Sequence, residues 1–416
     1  MNRREFLAGA AVLLSTGGES GCRMLPGTSD VLPAWRSGQF QAHFIYTGVA
    51  ESVFLIFPDG TSMLLDCGDI PAIMRHPYDV PVPRPREMAG ETVANYVLRV
   101  NPRGKNVDYM VVSHFHSDHT GTPCWQSCGT MVDKSGDRYW RSGFGIALEK
   151  LRFLKAIDRG YPDYSDPIPL RDGRDRELEH MKRIYAYLKE RDGLEVEKFR
   201  VGDCAQIRPM HQPVPNFRVR NVAANGKIAM PDGTIRDLYR DYLAKHSVTR
   251  LNENGMSLGL VFEYGSFRFY TAGDFCDRID GFQTEDAMAE AVGAVDVAKI
   301  DHHGHHSMSP KLVAALRARQ YVACIWDQLH VTDDTMTRLA DRTAYSDKRM
   351  LFPGVFTAER QREDASRPWT SDVAEAVKTK GAHVVLTVER GGESYSLTCV
   401  DAASEDLRVK AVYSGR

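Results

Sequence analysis

Val111-Val112-Ser113-His114-Phe115-His116-Ser117-Asp118-His119 sets four metal-ligating side chains into six positions, directly behind a short apolar run. Imidazoles this dense repel one another and resist desolvation, and coordinating a cation is the usual way to offset both costs. On a turn leaving a strand, His114 and His116 can close on a first metal. Asp118 and His119 then turn towards a second, about 3.5–4 Å away, the separation that two-metal hydrolysis uses. The alternative, a solvated His-rich loop with no ligand role, fits poorly behind a buried-looking strand.

That strand is Tyr109-Met110-Val111-Val112, entered through the polar Asn106 and Asp108. Upstream, residues 43–46, 53–57 and 62–66 read as strands with a turn at Pro58-Asp59-Gly60. The proline-rich stretch 71–90 predicts a stiff loop that rims a pocket, followed by a helix over 91–100. Between 125 and 251 the pattern changes. Amphipathic stretches 144–157 and 174–191 predict helices separated by the Pro/Gly/Asp-rich run 160–173, and 204–208 and 217–223 read as strands. Beyond Asn252, 257–264 and 267–271 predict a hairpin around Gly265, and 295–300 a further strand. Helices follow at 310–319 and 371–379, then strands at 382–389 and 394–400 joined by Gly391-Gly392. Two β-rich halves, each followed by helices, predict two packed sheets with helices outside.

The 416 residues, 43% hydrophobic and 26% charged, suffice for one large core with an insertion or for two to three modest domains. A formal net charge of −2 supplies no broad basic field, so bulk electrostatics do not imply binding to a nucleic-acid backbone, although a local basic groove stays compatible with one. Met1-Asn2-Arg3-Arg4-Glu5-Phe6-Leu7 and the apolar stretch 8–14 have the layout of an export signal, and the paired Arg3 and Arg4 resemble a bacterial twin-arginine signal. No segment approaches the roughly 20 apolar residues of a transmembrane helix. The mature protein is therefore expected in the periplasm or on the outer surface of a bacterium, soluble or tethered by lipid at Cys22, although Glu19 stands where a lipoprotein site expects an aliphatic residue. Cys124 and Cys128 are spaced for a loop disulfide in an oxidising compartment. Cys67 and Cys276, beside acidic motif residues, read as small buried hydrophobes rather than ligands.

Three more segments join the histidine loop: Leu64-Leu65-Asp66-Cys67-Gly68, Ala272-Gly273-Asp274 and Lys299-Ile300-Asp301-His302-His303-Gly304. Together they resemble the metallo-β-lactamase superfamily over about residues 41–400, with the insertion unmatched. Within it the chain is most similar to the nuclease-like domain of DNA-uptake competence proteins, on His302-His303-Gly304 and on Asn254-Gly255-Met256-Ser257-Leu258-Gly259-Leu260-Val261-Phe262. The resemblance implies an α/β (α+β) fold, a four-layer αββα sandwich with a helical insertion. Residues 1–30 are then signal and linker, 31–124 the first half of the domain, 125–250 a mainly helical insertion with edge strands, and 251–416 the second half. Asp274 becomes a carboxylate shared by two metals, and His302 or His303 completes the second. His302 is the preferred one, although strand phase cannot separate neighbours. Asp66 hydrogen-bonds the metal loop from behind.

Two departures matter. The superfamily usually supplies another His between the loop and the shared Asp; His180, His211 and His246 are available and His211 is the choice, while Asn254 and Ser257 occupy this neighbourhood in the competence-like branch. Gly48-Val49-Ala50-Glu51-Ser52 stands where those proteins have Gly-Gln-Gly-Asp, so Glu51 replaces the Asp and nuclease activity does not simply carry over. Lys299 pairs with Asp301 at the surface or faces substrate. His305 and His306 touch an anionic substrate group, donate a proton, or are simply solvated.

The expected activity is that of an exported hydrolase using a dimetal-bridged hydroxide on a phosphodiester or other ester, small or polymeric. Asp118 and His119 are the catalytic pair, Asp118 positioning or accepting the proton. Mixed imidazole and carboxylate donors suit two zinc ions, with manganese or iron also compatible. A lactonase or β-lactamase shares the metals, but the hairpin and insertion argue for another pocket. A di-iron oxidoreductase usually has Glu where His116 stands. A non-catalytic metal-binding exported protein would have little use for a complete ligand cluster.

Overall fold

The computed structural model describes residues 30–70, 81–85, 87–123, 138–168, 176–246, 251–327, 330–341, 343, 349–351 and 381–415. The stretch expected to be an export signal, Cys22, Cys124, Cys128 and the helix expected over 371–379 lie outside them. Hydrophobic alternation lays down β1 (Phe40–Phe44), β2 (Val53–Ile56) and β3 (Ser62–Leu65), then α1 (Ala89–Val100), β4 (Asn106–Val111) and the single turn α2 (Ser117–Thr120). Next come α3 (Phe144–Lys150), β5 (Arg152–Asp158), α4 (Arg176–Asp192), β6 (Glu195–Lys198), β7 (Phe217–Ala224), β8 (Lys227–Ala229), β9 (Ile235–Asp237) and α5 (Leu238–Lys245). The chain continues through β10 (Gly259–Tyr264), β11 (Phe267–Ala272), α6 (Asp277–Asp280), α7 (Gln283–Val292), β12 (Val297–Lys299), α8 (Pro310–Leu316), β13 (Gln320–Val322), α9 (Asp333–Ala340) and β14 (Arg349–Leu351). It ends with β15 (Ala382–Val388), β16 (Tyr395–Asp401) and β17 (Val409–Ser414).

The strands form two mixed sheets, in orders β17-β16-β15-β1-β2-β3-β4-β5-β6 and β14-β13-β12-β11-β10-β7-β8-β9. Pairing is parallel from β3 through β6 and from β11 through β14, and antiparallel elsewhere. Strand alternation divides the side chains between cores. Val53, Leu55, Met63, Leu65, Leu260, Phe262, Phe267 and Phe269 share one cluster, where Phe40 stacks on Phe262 at 5.5 Å and joins the sheets. Their neighbours Phe54 and Leu64 meet Val93 and Val97 of α1, Phe144 of α3 and Ile184 of α4. Val261, Tyr270 and Ala298 meet Met288 of α7, Leu312 of α8 and Met336 of α9. No helix among the described residues is long and apolar enough to cross a membrane.

The stretch 125–250, expected as a mainly helical insertion with edge strands, contains α3, α4 and α5 and supplies β5 and β6 to one end of the first sheet and β7, β8 and β9 to one end of the second. The helix expected over 144–157 stops at Lys150, and β5 begins at Arg152. Within β5, Phe153, Ala156 and Ile157 are buried while Arg152 and Leu154 are exposed, and the slot between β4 and β6 imposes the extended form. Residues 204–208 form no strand; Asp203 Oδ1 accepts from the backbone N–H of Ala205 and Gln206 and turns the chain.

Candidate metal centre

Parallel strands point their C-terminal ends the same way, and four such ends deliver the site. Asp66 follows β3, Ser113 to His119 follow β4 and enter α2, Asp274 follows β11, and His302 and His303 follow β12. The two sheets are stitched together here where Leu258 N, just before β10, donates to Ser113 O, just after β4, at 3.0 Å; within the second sheet, His302 N donates to Gly273 O at 3.2 Å. Cys67 N donates to His119 O at 2.8 Å and Asp69 N to Ser117 O at 3.0 Å, which clamps the histidine loop onto the end of β3. Gly68 permits that clamp, because a Cβ there would lie 1.8 Å from Asp118 O. From the 125–250 stretch, Glu177 on α4 accepts from Ser117 Oγ at 2.8 Å.

Two groups of donors meet at Asp274. His114 Nε2 and His116 Nδ1 stand 3.2 Å apart, with His114 Nε2 3.6 Å from Asp274 Oδ2. On the other side, His119 Nε2 is 3.2 Å and His303 Nε2 3.5 Å from the same oxygen, and His303 Nε2 is 3.1 Å from Asp118 Oδ2. Asp118, His119, Asp274 and His303 each offer a donor atom within 4.8 Å of the others, as do His114, His116 and Asp274. Asp274 Oδ1 is buried without a hydrogen-bond partner. A buried carboxylate with an unsatisfied oxygen, ringed by imidazole nitrogens, is costly unless a cation supplies the missing acceptor for these lone pairs. The donor set is mixed nitrogen and oxygen, which suits zinc.

The far side of each ring is fixed. His119 Nδ1 donates to Asp66 Oδ2 at 2.8 Å, and Asp66 also accepts from Ser113 N at 2.7 Å and Ser113 Oγ at 2.6 Å. His303 Nδ1 donates to Cys324 O at 2.9 Å, with Glu51 Oε2 3.1 Å away. Such bonds leave each Nε2 lone pair facing inwards. His330 stacks on His303 with ring centroids 4.8 Å apart.

Burial would raise the Asp118 and Asp274 carboxyls, but His119 and His303 hold both well below the usual range. Burial would likewise lower His119 and His303, but Asp274 and Asp118 raise both. Burial keeps His114 neutral, helped by the charge on His119. The carboxylates and the two imidazoles thus favour each other's charged forms.

Of the adjacent pair, His303 joins the Asp118/His119/Asp274 group and His302, the one preferred from sequence, does not. His302 Nε2 lies 4.0 Å from Asp274 Oδ2 and 3.2 Å from Asn254 Nδ2, and its Nδ1 bonds His305 O. The choice of His211 is corrected: its Nε2 bonds Asp108 Oδ2 at 3.1 Å, and Asp108 lies near the start of β4, at the strand's other end. His180 is buried against Ser142 O, and the His246 ring lies tilted against that of Tyr242. Cys67 and Cys276 are buried and belong to no donor group among the described residues. Lys299 is not at the surface; it is fully buried, 3.0 Å from Glu51 Oε1. Sequence reasoning missed a second charged pair, buried Arg159 with half-buried Glu253, 94 residues apart and without a local signal. Compared with models of known protein families and with curated protein sequences, the chain matches none.

Proposed function

We propose that this chain is a metal-dependent hydrolase built as a four-layer αββα sandwich of the metallo-β-lactamase type. The supporting observation is Asp274, whose Oδ2 is common to the His114/His116 group and the Asp118/His119/His303 group. His114, His116 and Asp274 would hold one divalent cation, and Asp118, His119, Asp274 and His303 the other, with zinc the best match to the donors. Such a pair of cations activates water at neutral pH and stabilises negative charge on an attacked phosphorus or carbonyl centre. Asp118, ionised and still 18% exposed at its side chain, is placed to orient a water and take its proton. His119 and His303, braced by Asp66 and Cys324 O, keep that carboxylate turned inwards. The reading extends to a phosphodiester or other ester as substrate and to export of the folded chain through Arg3 and Arg4.

Metal analysis of the purified protein, run beside hydrolysis of a phosphodiester, a phosphomonoester, a lactone and a β-lactam, tests it. About two transition-metal ions per chain with turnover of an ester is the expected result. A chain purified without transition metal, and taking up none when supplied, would overturn the proposal.

A further inference from the structure

Two charged pairs lie beside the metal centre, Glu51–Lys299 fully buried and Arg159–Glu253 with its cation buried and its carboxylate half-buried. Lys299 Nζ meets Glu51 Oε1 at 3.0 Å with side chains 0% and 1% exposed, and also donates to Ala272 O at 2.9 Å. Glu51 Oε2 stands 3.1 Å from His303 Nδ1, and the Glu51 backbone N–H donates to Asp118 O at 3.0 Å. One residue comes from the loop between β1 and β2 and the other ends β12, so the pair crosses from sheet to sheet. Every metal-donor residue it touches belongs to the Asp118/His119/Asp274/His303 group.

Arg159, just after β5, grips Glu253 with two bonds of 2.6 Å, Nε to Oε1 and Nη2 to Oε2, and is itself 1% exposed. Glu253 Oε1 accepts from Phe115 N at 3.1 Å, and the guanidinium lies 5.3 Å over the Phe115 ring. Phe115 is the residue between His114 and His116. Arg159 is held in turn by Asn225, whose side-chain N–H donates to Arg159 O at 2.7 Å.

Buried ion pairs contribute little net stability, since desolvation consumes most of their attraction and a well-packed apolar replacement is often neutral. Two charged pairs beside one site therefore call for a role in position. Resting on the two-metal reading, we propose that the pairs are separate supports for separate cations: Glu51–Lys299 sets the arm of His303 and Asp118, and Arg159–Glu253 sets the arm of His114 and His116. All four are positioning residues, acting through the ligands they hold.

Zinc affinity measured by chelator competition on the full chain, with one cation site disabled at a time, tests the assignment. In a His116→Ala background, Glu51→Gln should weaken the remaining zinc by about 10–100-fold while Glu253→Gln leaves it within about twofold. In a His303→Ala background the two should exchange effects. Where a lone Gln variant fails to fold, because its partner cation is left buried and unpaired, the doubles Glu51→Gln/Lys299→Met and Arg159→Met/Glu253→Gln are compared in the same backgrounds. Equal effects in both backgrounds, or none in either, would overturn the proposal. A wild-type chain that binds no zinc would sink the two-metal reading first, before any variant is compared.

Discussion

Asp118 is the residue on which the proposed chemistry turns, and its surroundings separate catalysis from folding. Its carboxylate faces His303 and His119, while its backbone oxygen is held by Glu51 N. Asp118→Asn keeps the shape and the backbone bond but removes the charge that takes a proton, so turnover should fall by about 10²–10⁴-fold. A thermal melt close to wild type should accompany that loss; full activity would show that the loop is not the catalytic centre. The neighbours His302 and His303 make a second test. His303→Ala should cost one bound metal per chain by elemental analysis, and His302→Ala should cost none. Sequence could not separate them, because both take left-handed backbone angles, φ 48° and 53°, where the alternation of an extended strand no longer applies. The density of His114 to His119 was legible because neighbours in sequence converge locally. Glu253, which steadies them through Phe115, comes from a segment that only tertiary packing brings near.

Elements whose pattern agreed with their environment were read correctly in kind, as in the hairpin β10 and β11 or the final strands β15 and β16. Arg152 to Ile157 reads as helix in the sequence because Lys155 and Leu154 let the same letters satisfy a helical period, and pairing with β4 and β6 decides the matter. The short helices α5, α7 and α9 and the strand β17 went unseen for a similar reason, since their apolar faces are brief and gain meaning only against a sheet. The clamp between β3 and α2 shows how little slack these junctions have. A methyl group at Gly68 would meet the Asp118 carbonyl oxygen at 1.8 Å, and backbone cannot rotate away as a flexible side chain can. Gly68→Ala should therefore destabilise the fold by about 1–3 kcal/mol and also weaken metal binding, because relief requires moving Asp118. Urea unfolding and zinc titration check both effects, and a variant with wild-type values in each would remove the clamp from the account.

At the scale of the whole molecule, three buried neutral histidines away from the metal centre link stability to acid. His43 and His383 flank Tyr96 of α1 against the first sheet; His43 Nδ1 lies 3.0 Å from Tyr96 Oη, and His383 Nδ1 accepts from Tyr46 N at 3.0 Å. Burial pushes His43 down to about 3, with the nearby His383 adding to the shift, and burial pushes His383 to about 3 as well. His180, buried against Ser142 O, falls to about 4. Unfolding restores ordinary imidazoles, whose pKa is about 6.5, so the unfolded chain binds these protons first as pH drops. Their contribution is fully present above that value and is lost as pH falls towards the folded values, at up to about 1.4 kcal/mol per pH unit for each histidine. Buried carboxyls such as Asp158, raised by burial, act in the opposite direction, so the net slope of the wild type is not diagnostic. The difference between proteins is. Urea unfolding in the presence of a chelator, at intervals between pH 7 and pH 4.5, should show His383→Leu losing less stability on acidification than the wild type, and His43→Leu likewise. If both variants keep the wild-type slope across that window, the buried imidazoles are not what makes this fold sensitive to acid.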